Sequence, residues 1–161
     1  MKELSMPVLK PIPIPTKKAP YLVALWRWLT SIRRWELQAD WYWYFDTDNI
    51  EVIVPAGYIF DGASIPRIFW FVLSPTGLLL IPGLIHDYAY EHDYILTSAG
   101  DKYRENAGRF YWDRVFRDTA IKINGFHIIN YMAWFALVLG GWAAWWSHRR
   151  RGNEVNKDET I

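Results

Sequence analysis

His86, Asp87 and Tyr90 fall within five residues of one another, and Asp113 follows 23 residues after the tyrosine. On a helix, His86 and Tyr90 are four apart and share a face, while Asp87 points to one side. An aspartate reaching the imidazole from a second helix would fix its tautomer and stabilise the imidazolium, as the orienting acid of a triad does. His86 would then be a general base working near neutral pH. No serine or cysteine adjoins it in the sequence, so the simplest nucleophile is water. Asp87 would be left to bind a hard cation. Calcium takes six to eight oxygens, and a glycine-containing loop is a usual source of them. The stretch Asp61-Gly62-Ala63-Ser64 is the candidate loop, with Asp61, Gly62 and Ser64 joining Asp87 as ligands. Asp113 also stands four residues after Arg109, the spacing of an ordinary helical ion pair. Spacing alone leaves both roles open.

Other metal chemistries fail on ligand count. A zinc protease needs two histidines at helical spacing with a glutamate beside the first, and that spacing is absent. No histidine precedes His86, so a phosphohydrolase centred on a His-Asp pair is also unsupported. His92, His127 and His148 read as surface or capping residues.

The elements that must carry these groups are uneven in character. Residues 1–20 hold Pro7, Pro11, Pro13, Pro15 and Pro20 and read as an extended arm barred from helix or sheet. Residues 21–35 (YLVALWRWLTSIRRW) have helical periodicity, with Trp26, Trp28 and Trp35 beside Arg27, Arg33 and Arg34. Residues 41–45 and 50–54, separated by Asp46-Thr47-Asp48-Asn49, read as a β-hairpin. Helices are expected from about Pro82 to Tyr94 and from about Arg104 to Ile123, with a turn over 97–103 between them. If these two helices pack antiparallel, Asp113 can approach His86. The uncharged stretch 128–146, followed by Arg149-Arg150-Arg151, has the length and flank of a membrane helix, and a buried or interfacial helix competes with that reading. A polar tail, 148–161, closes the chain. The domain itself is placed at 21–147.

Composition bounds the function classes. With 161 residues, one domain is the default. Eighteen basic against 17 acidic side chains give a net charge of +1, which removes the global electrostatic case for nucleic acid. The absence of cysteine excludes a disulfide scaffold, a zinc-thiolate cluster and a cysteine nucleophile. Charge is segregated: residues 1–39 carry seven basic and two acidic groups, and 40–119 carry six and twelve. Residues 120–161 carry five basic and three acidic groups. The 11 tryptophans exceed what a small core needs, and a membrane interface favours them. No secretory signal is expected, because the first apolar run follows a Pro/Lys segment without a small-residue cleavage site.

The motifs DGASIPR (61–67), HDYAY (86–90) and Arg109…Asp113-x-x-Phe116 resemble a phage and prophage family, domain of unknown function 1353. The resemblance spans roughly residues 50–145. The same residues resemble the phospholipase A2 superfamily in its disulfide-poor viral and bacterial forms. Those forms have a His-Asp-x-Ala-Tyr helix, a Ser/Gly turn and a helix bearing Asp-x-x-Phe. That likeness implies a mainly α fold with a small β-hairpin, in which an antiparallel helix pair carries the site beside an apolar C-terminal helix. It implies that His86 deprotonates water for attack on a glycerophospholipid ester, that Asp113 orients His86, and that Tyr90 hydrogen-bonds Asp113. Asp87 and the 61–64 loop would hold calcium for the oxyanion and the lipid phosphate. The loop departs from the family pattern in lacking a clear Gly-x-Gly. The function expected is therefore a calcium-dependent interfacial phospholipid ester hydrolase of phage origin, membrane-associated in the infected cell or virion. Its Trp/Arg-rich ends would touch phospholipid. Two alternatives stand: an inactive membrane-associated lysis or virion protein that keeps the fold, and a structural module whose Trp-rich helices bind other phage proteins.

Overall fold

The computed structural model describes residues 6–13, 19–30, 34–60 and 79–158, with side chains for all of these except 26–30, 144 and 148–158. In chain order the elements are β1 (Leu9–Ile12), α1 (Tyr21–Thr30), β2 (Arg34–Leu37), β3 (Trp41–Phe45), β4 (Ile50–Val54), β5 (Ile59–Phe60), α2 (Leu80–His92), β6 (Ile95–Thr97), β7 (Lys102–Tyr103), α3 (Arg109–Asn124) and α4 (His127–Asp158).

The strands form two antiparallel sheets, one ordered β1-β2-β5 and the other β3-β4-β6-β7. This overturns the expectation of a mainly α fold with a single small hairpin and a phospholipase A2-like architecture. The hairpin expected over 41–54 is there, with Trp41 opposite Val54 and Trp43 opposite Val52. Those four side chains are buried, as period-2 alternation on a half-buried sheet requires. Its sheet is larger than expected because the stretch read as a turn over 97–103 is itself a hairpin: β6 pairs with β4, and β7 with β6. These strands have two and three residues, too few to show a period. Pairing with the longer hairpin makes them strands.

The proline arm is also in a sheet. β1 pairs with β2, Pro11 opposite Trp35. β1 is the edge strand of its sheet, the place where a proline's missing N–H is tolerated. The helix expected over 21–35 ends at Thr30, and Arg34–Leu37 is a strand instead. Leu37 is fully buried, and its strand is paired on both sides by β1 and β5, which outweighs the helical period of the local sequence. The final tail is helical in backbone as far as Asp158.

α2 is the centre of the molecule. Every residue from Leu80 to Tyr90 is buried. Its core neighbours come from both sheets (Leu37, Trp41, Trp43, Val52, Val54, Phe60) and from Trp112 of α3. A second cluster of Leu79, Phe116, Ala120 and Ala133 ties α3 to α4. The α3–α4 turn is set by Gly125 in the left-handed region, φ 70°, which glycine adopts without steric cost. It is held by Asn124 and the fully buried Asn130, each side-chain amide donating to the other's oxygen. Among the described residues no helix is long and apolar enough to cross a membrane, so the spanning reading of 128–146 is not carried forward.

Candidate functional site

α2 and α3 run antiparallel: His86 lies edge-on to Phe116, while further along Asp93 meets Gly108 and Trp112. Asp113 thereby faces the histidine, with His86 Nε2 3.1 Å from Asp113 Oδ1. The Tyr90 hydroxyl donates to the same Oδ1. The His86 and Tyr90 rings are 3.9 Å apart, centroid to centroid. An ionised carboxylate only accepts, so the proton of a neutral imidazole belongs on Nε2 and the lone pair on Nδ1. Nδ1 lies 3.7 Å from Asp87 Oδ1, beyond hydrogen-bond length. Thus His86, Tyr90, Asp113 and Asp87 are brought together, while Asp61, Gly62 and Ser64 lie outside the described residues.

The assembly is buried: His86 is 5% exposed and Asp113 is 0%. Burial disfavours a charged imidazole, but the hydrogen bond to Asp113 and the carboxylates of Asp113 and Asp87 outweigh it, and the His86 pKa is raised above its ordinary value. Burial raises the Tyr90 phenol, and the Asp113 carboxylate raises it further, so it stays a neutral donor.

Arg109 has more than a simple pairing role. Its Nη1 is 3.9 Å from Asp113 Oδ2, an oxygen with no hydrogen-bond partner among the described residues. The same nitrogen donates to the carbonyls of Val138 at 3.0 Å and Leu137 at 3.4 Å. Arg109 therefore joins the site to α4. The helix answers with Gly141, where a Cβ would come within 2.7 Å of the Tyr90 hydroxyl and 3.2 Å of Arg109 Nη1. Trp145 then lies edge-on to Tyr90 at 5.0 Å.

Two of these residues escaped the sequence reading. Gly141 left a trace, since paired glycines inside a helix cost stability unless packing needs them. Asp93 left a subtler one: an acid closing a helix opposes the macrodipole. In the left-handed region at φ 58°, its Oδ1 accepts from the Gly108 amide and the Trp112 indole, both at 2.9 Å. His92 is half-buried, stacked on Tyr88 at 4.3 Å and hydrogen-bonded by Nδ1 to the Tyr88 carbonyl.

Of the expected calcium ligands only Asp87 is among the described residues, where it sits beside the His86 imidazole. Among the described residues no group of three or more His, Asp or Glu side chains is poised to hold a metal ion. A cleft of about 420 Å³ lies between the β3–β4 turn and α3, lined in part by Asp48, Arg104, Tyr111, Arg114 and Lys122. It includes none of His86, Tyr90 and Asp113 in its wall.

Residues 35–137 match the family described as protein of unknown function (DUF1353). The chain belongs to this family. No curated protein and no solved structure is significantly similar to it, and the phospholipase A2 likeness finds no support there. The DUF1353 span takes in β2 from Trp35 onward, β3 to β7, α2, α3 and the first part of α4, and with them His86, Asp87, Tyr90, Arg109 and Asp113. Gly141 and Trp145 lie beyond it.

Proposed function

We propose that this DUF1353 chain is a phage-encoded hydrolase of carboxylic esters of the phospholipid type, with His86 as general base. The observation that supports it most is the single Asp113 oxygen shared by His86 Nε2 and the Tyr90 hydroxyl. A carboxylate so placed orients the ring and stabilises its charged form, which is what water activation requires. In the proposed reaction Nδ1 takes a proton from water as the oxygen attacks the ester carbonyl. The tetrahedral intermediate collapses, the carbon–oxygen bond to the alcohol breaks, and the imidazolium returns the proton to the leaving alkoxide. The products are a carboxylic acid and an alcohol. Asp113, Tyr90 and Arg109 act by positioning. No step is routed through calcium, because the described residues offer Asp87 alone of the expected ligand set.

Lipid is the favoured ester carrier because α1 leaves Tyr21, Leu22, Val23 and Leu25 exposed, with Arg33 and Arg34 following in the sequence. Exposed apolar side chains on a helix followed in the sequence by basic residues suit an anionic lipid surface. The test is fatty-acid release by the full chain from mixed anionic and zwitterionic vesicles. His86→Gln and Asp113→Asn should each lower the rate at least about 100-fold with unchanged circular dichroism, the usual scale for a lost base. Equal rates in wild type and His86→Gln would sink the assignment.

The near-complete burial of His86 and Asp113 favours a second reading, in which the network is a core hydrogen-bonded unit of a non-catalytic phage protein. That reading predicts that His86→Gln changes stability alone, and that the wild type releases no fatty acid.

A further inference from the structure

α4 is two-faced. One side carries the buried Asn130, Ala133 and Gly141 against the body of the protein. The other side carries Ile128, Met132, Phe135, Leu139, Trp142 and Trp146, each between 53% and 78% exposed. Their steps are four, three, four, three and four residues, so Ile128, Phe135 and Trp142 recur every seven, as do Met132, Leu139 and Trp146. That is the spacing of a seam between two helices. The row runs for roughly 27 Å.

We propose that this face is the contact between two copies of the chain, joined antiparallel about a two-fold axis near the middle of the row. The step pattern reads the same from either end, so a two-fold turn sets each member of the row directly opposite another member. Turned head to tail, it places Ile128 opposite Trp146, Met132 opposite Trp142, and Phe135 opposite Leu139. Every layer then sets one aromatic against one aliphatic side chain. A parallel pair would instead place Trp142 on Trp142, Trp146 on Trp146, and the Arg149–Arg151 run beside its own copy. The antiparallel pair moves the two arginine runs roughly 40 Å apart.

The area is sufficient. Six such side chains, just over half exposed, offer roughly 600–700 Å² per copy, and a pair reaches the range of about 1,200–2,000 Å² buried by specific interfaces. The rim of the row also favours a protein partner over a bilayer. An interfacial helix carries Lys and Arg beside its apolar stripe. Here α4 itself holds neither residue between His127 and Ser147. One flank is the exposed Ala136, Gly140 and Ala143, and on the other Arg117 of α3 is engaged over the Tyr131 ring. Nothing lies within 4 Å of where a Cβ on Gly140 would stand, so a second backbone can come close. This contact is independent of the chemistry proposed for His86.

Sedimentation equilibrium of the full chain without detergent should give twice the 19.1 kDa chain mass. Phe135→Glu combined with Leu139→Glu should weaken association at least tenfold with unchanged circular dichroism. Because the chain has no cysteine, single cysteines report the orientation without background. On oxidation, a mixture of Ile128→Cys and Trp146→Cys chains should form the mixed disulfide dimer, while neither variant links to itself. This cross-link tests the contact even if the double glutamate variant fails to fold. A monomeric wild type, open-ended aggregates, or self-linking by either single variant would overturn the proposal. So would a monomer that floats on anionic vesicles through this face, which would make the row a lipid contact.

Discussion

His86 is pulled in two directions, and the balance sets a pH signature. Burial disfavours the imidazolium, but Asp113 and Asp87 outweigh it and raise its pKa above 6.5. A group whose folded pKa is raised adds stability that is complete below its unfolded value and is lost as pH rises through the folded value. The stability advantage of wild type over His86→Gln should therefore be larger at pH 5.5 than at pH 8.5, measured by urea unfolding. The same titration governs a base that must be neutral to work, so hydrolysis should rise over the window in which this stabilisation fades. The two neighbouring glycines give a second residue-scale contrast. Gly141→Ala drives a methyl against Tyr90 and Arg109 and should cost about 1–3 kcal/mol, the usual range for overpacking. Within one chain Gly140→Ala meets open space, so at a protein concentration that keeps the chain monomeric it should stabilise by up to about 1 kcal/mol through helix propensity. Thermal melts of the two variants check both. The group of His86, Tyr90 and Asp113 was legible in the sequence because four-residue spacing and helix pairing are local rules. The fit of Gly141 against Tyr90 was not, since 51 positions separate them.

Among the elements, the hairpin over 41–54 was legible in full, because aromatic and β-branched alternation bounded by turn formers has few other outcomes. β1, β2, β6 and β7 were not. Each has two to four residues, and its pairing partner decides its state. α2 was legible as a helix but not as a buried one. A helix enclosed on every side shows no polar face to mark its orientation. Besides the bonds of Asp113 to His86 and Tyr90, Asp93 at the end of α2 ties it to α3, bonded to the Gly108 amide and Trp112 indole. Asp93→Ala leaves both donors unsatisfied and should cost about 2–6 kcal/mol, at about 1–3 kcal/mol for each group. Asp93→Asn keeps an acceptor and tolerates the left-handed backbone. It should retain most of the stability, and the comparison is read by chemical denaturation.

At the scale of the whole molecule, two sheets enclose one side of a buried helix, and α3 and α4 close the other. The polar group of α2 is thus held in a water-poor interior, where a hydrogen bond to a charged group is stronger than in water. Of the two readings of 128–146, the membrane span is not supported, since among the described residues no helix is long and apolar enough to cross a membrane. The apolar residues of α4 serve two faces, one turned to the core and one outward. Hydropathy along a chain sums both and separates neither. Tyr90→Phe links the site to this framework, because it removes a buried donor to Asp113 while leaving Trp145 and Gly141 in place. It should cost about 1.5–3 kcal/mol, the range for a hydrogen bond to a charged group, and should slow hydrolysis less than His86→Gln does.

The most direct measurement is the pH profile of fatty-acid release from mixed vesicles by wild type and His86→Gln, with folding of both followed by circular dichroism. The account predicts release by the wild type with a half-maximum above pH 6.5, and a loss of at least about 100-fold in a folded His86→Gln. Absence of release by the folded wild type, or equal release by both proteins, would contradict it.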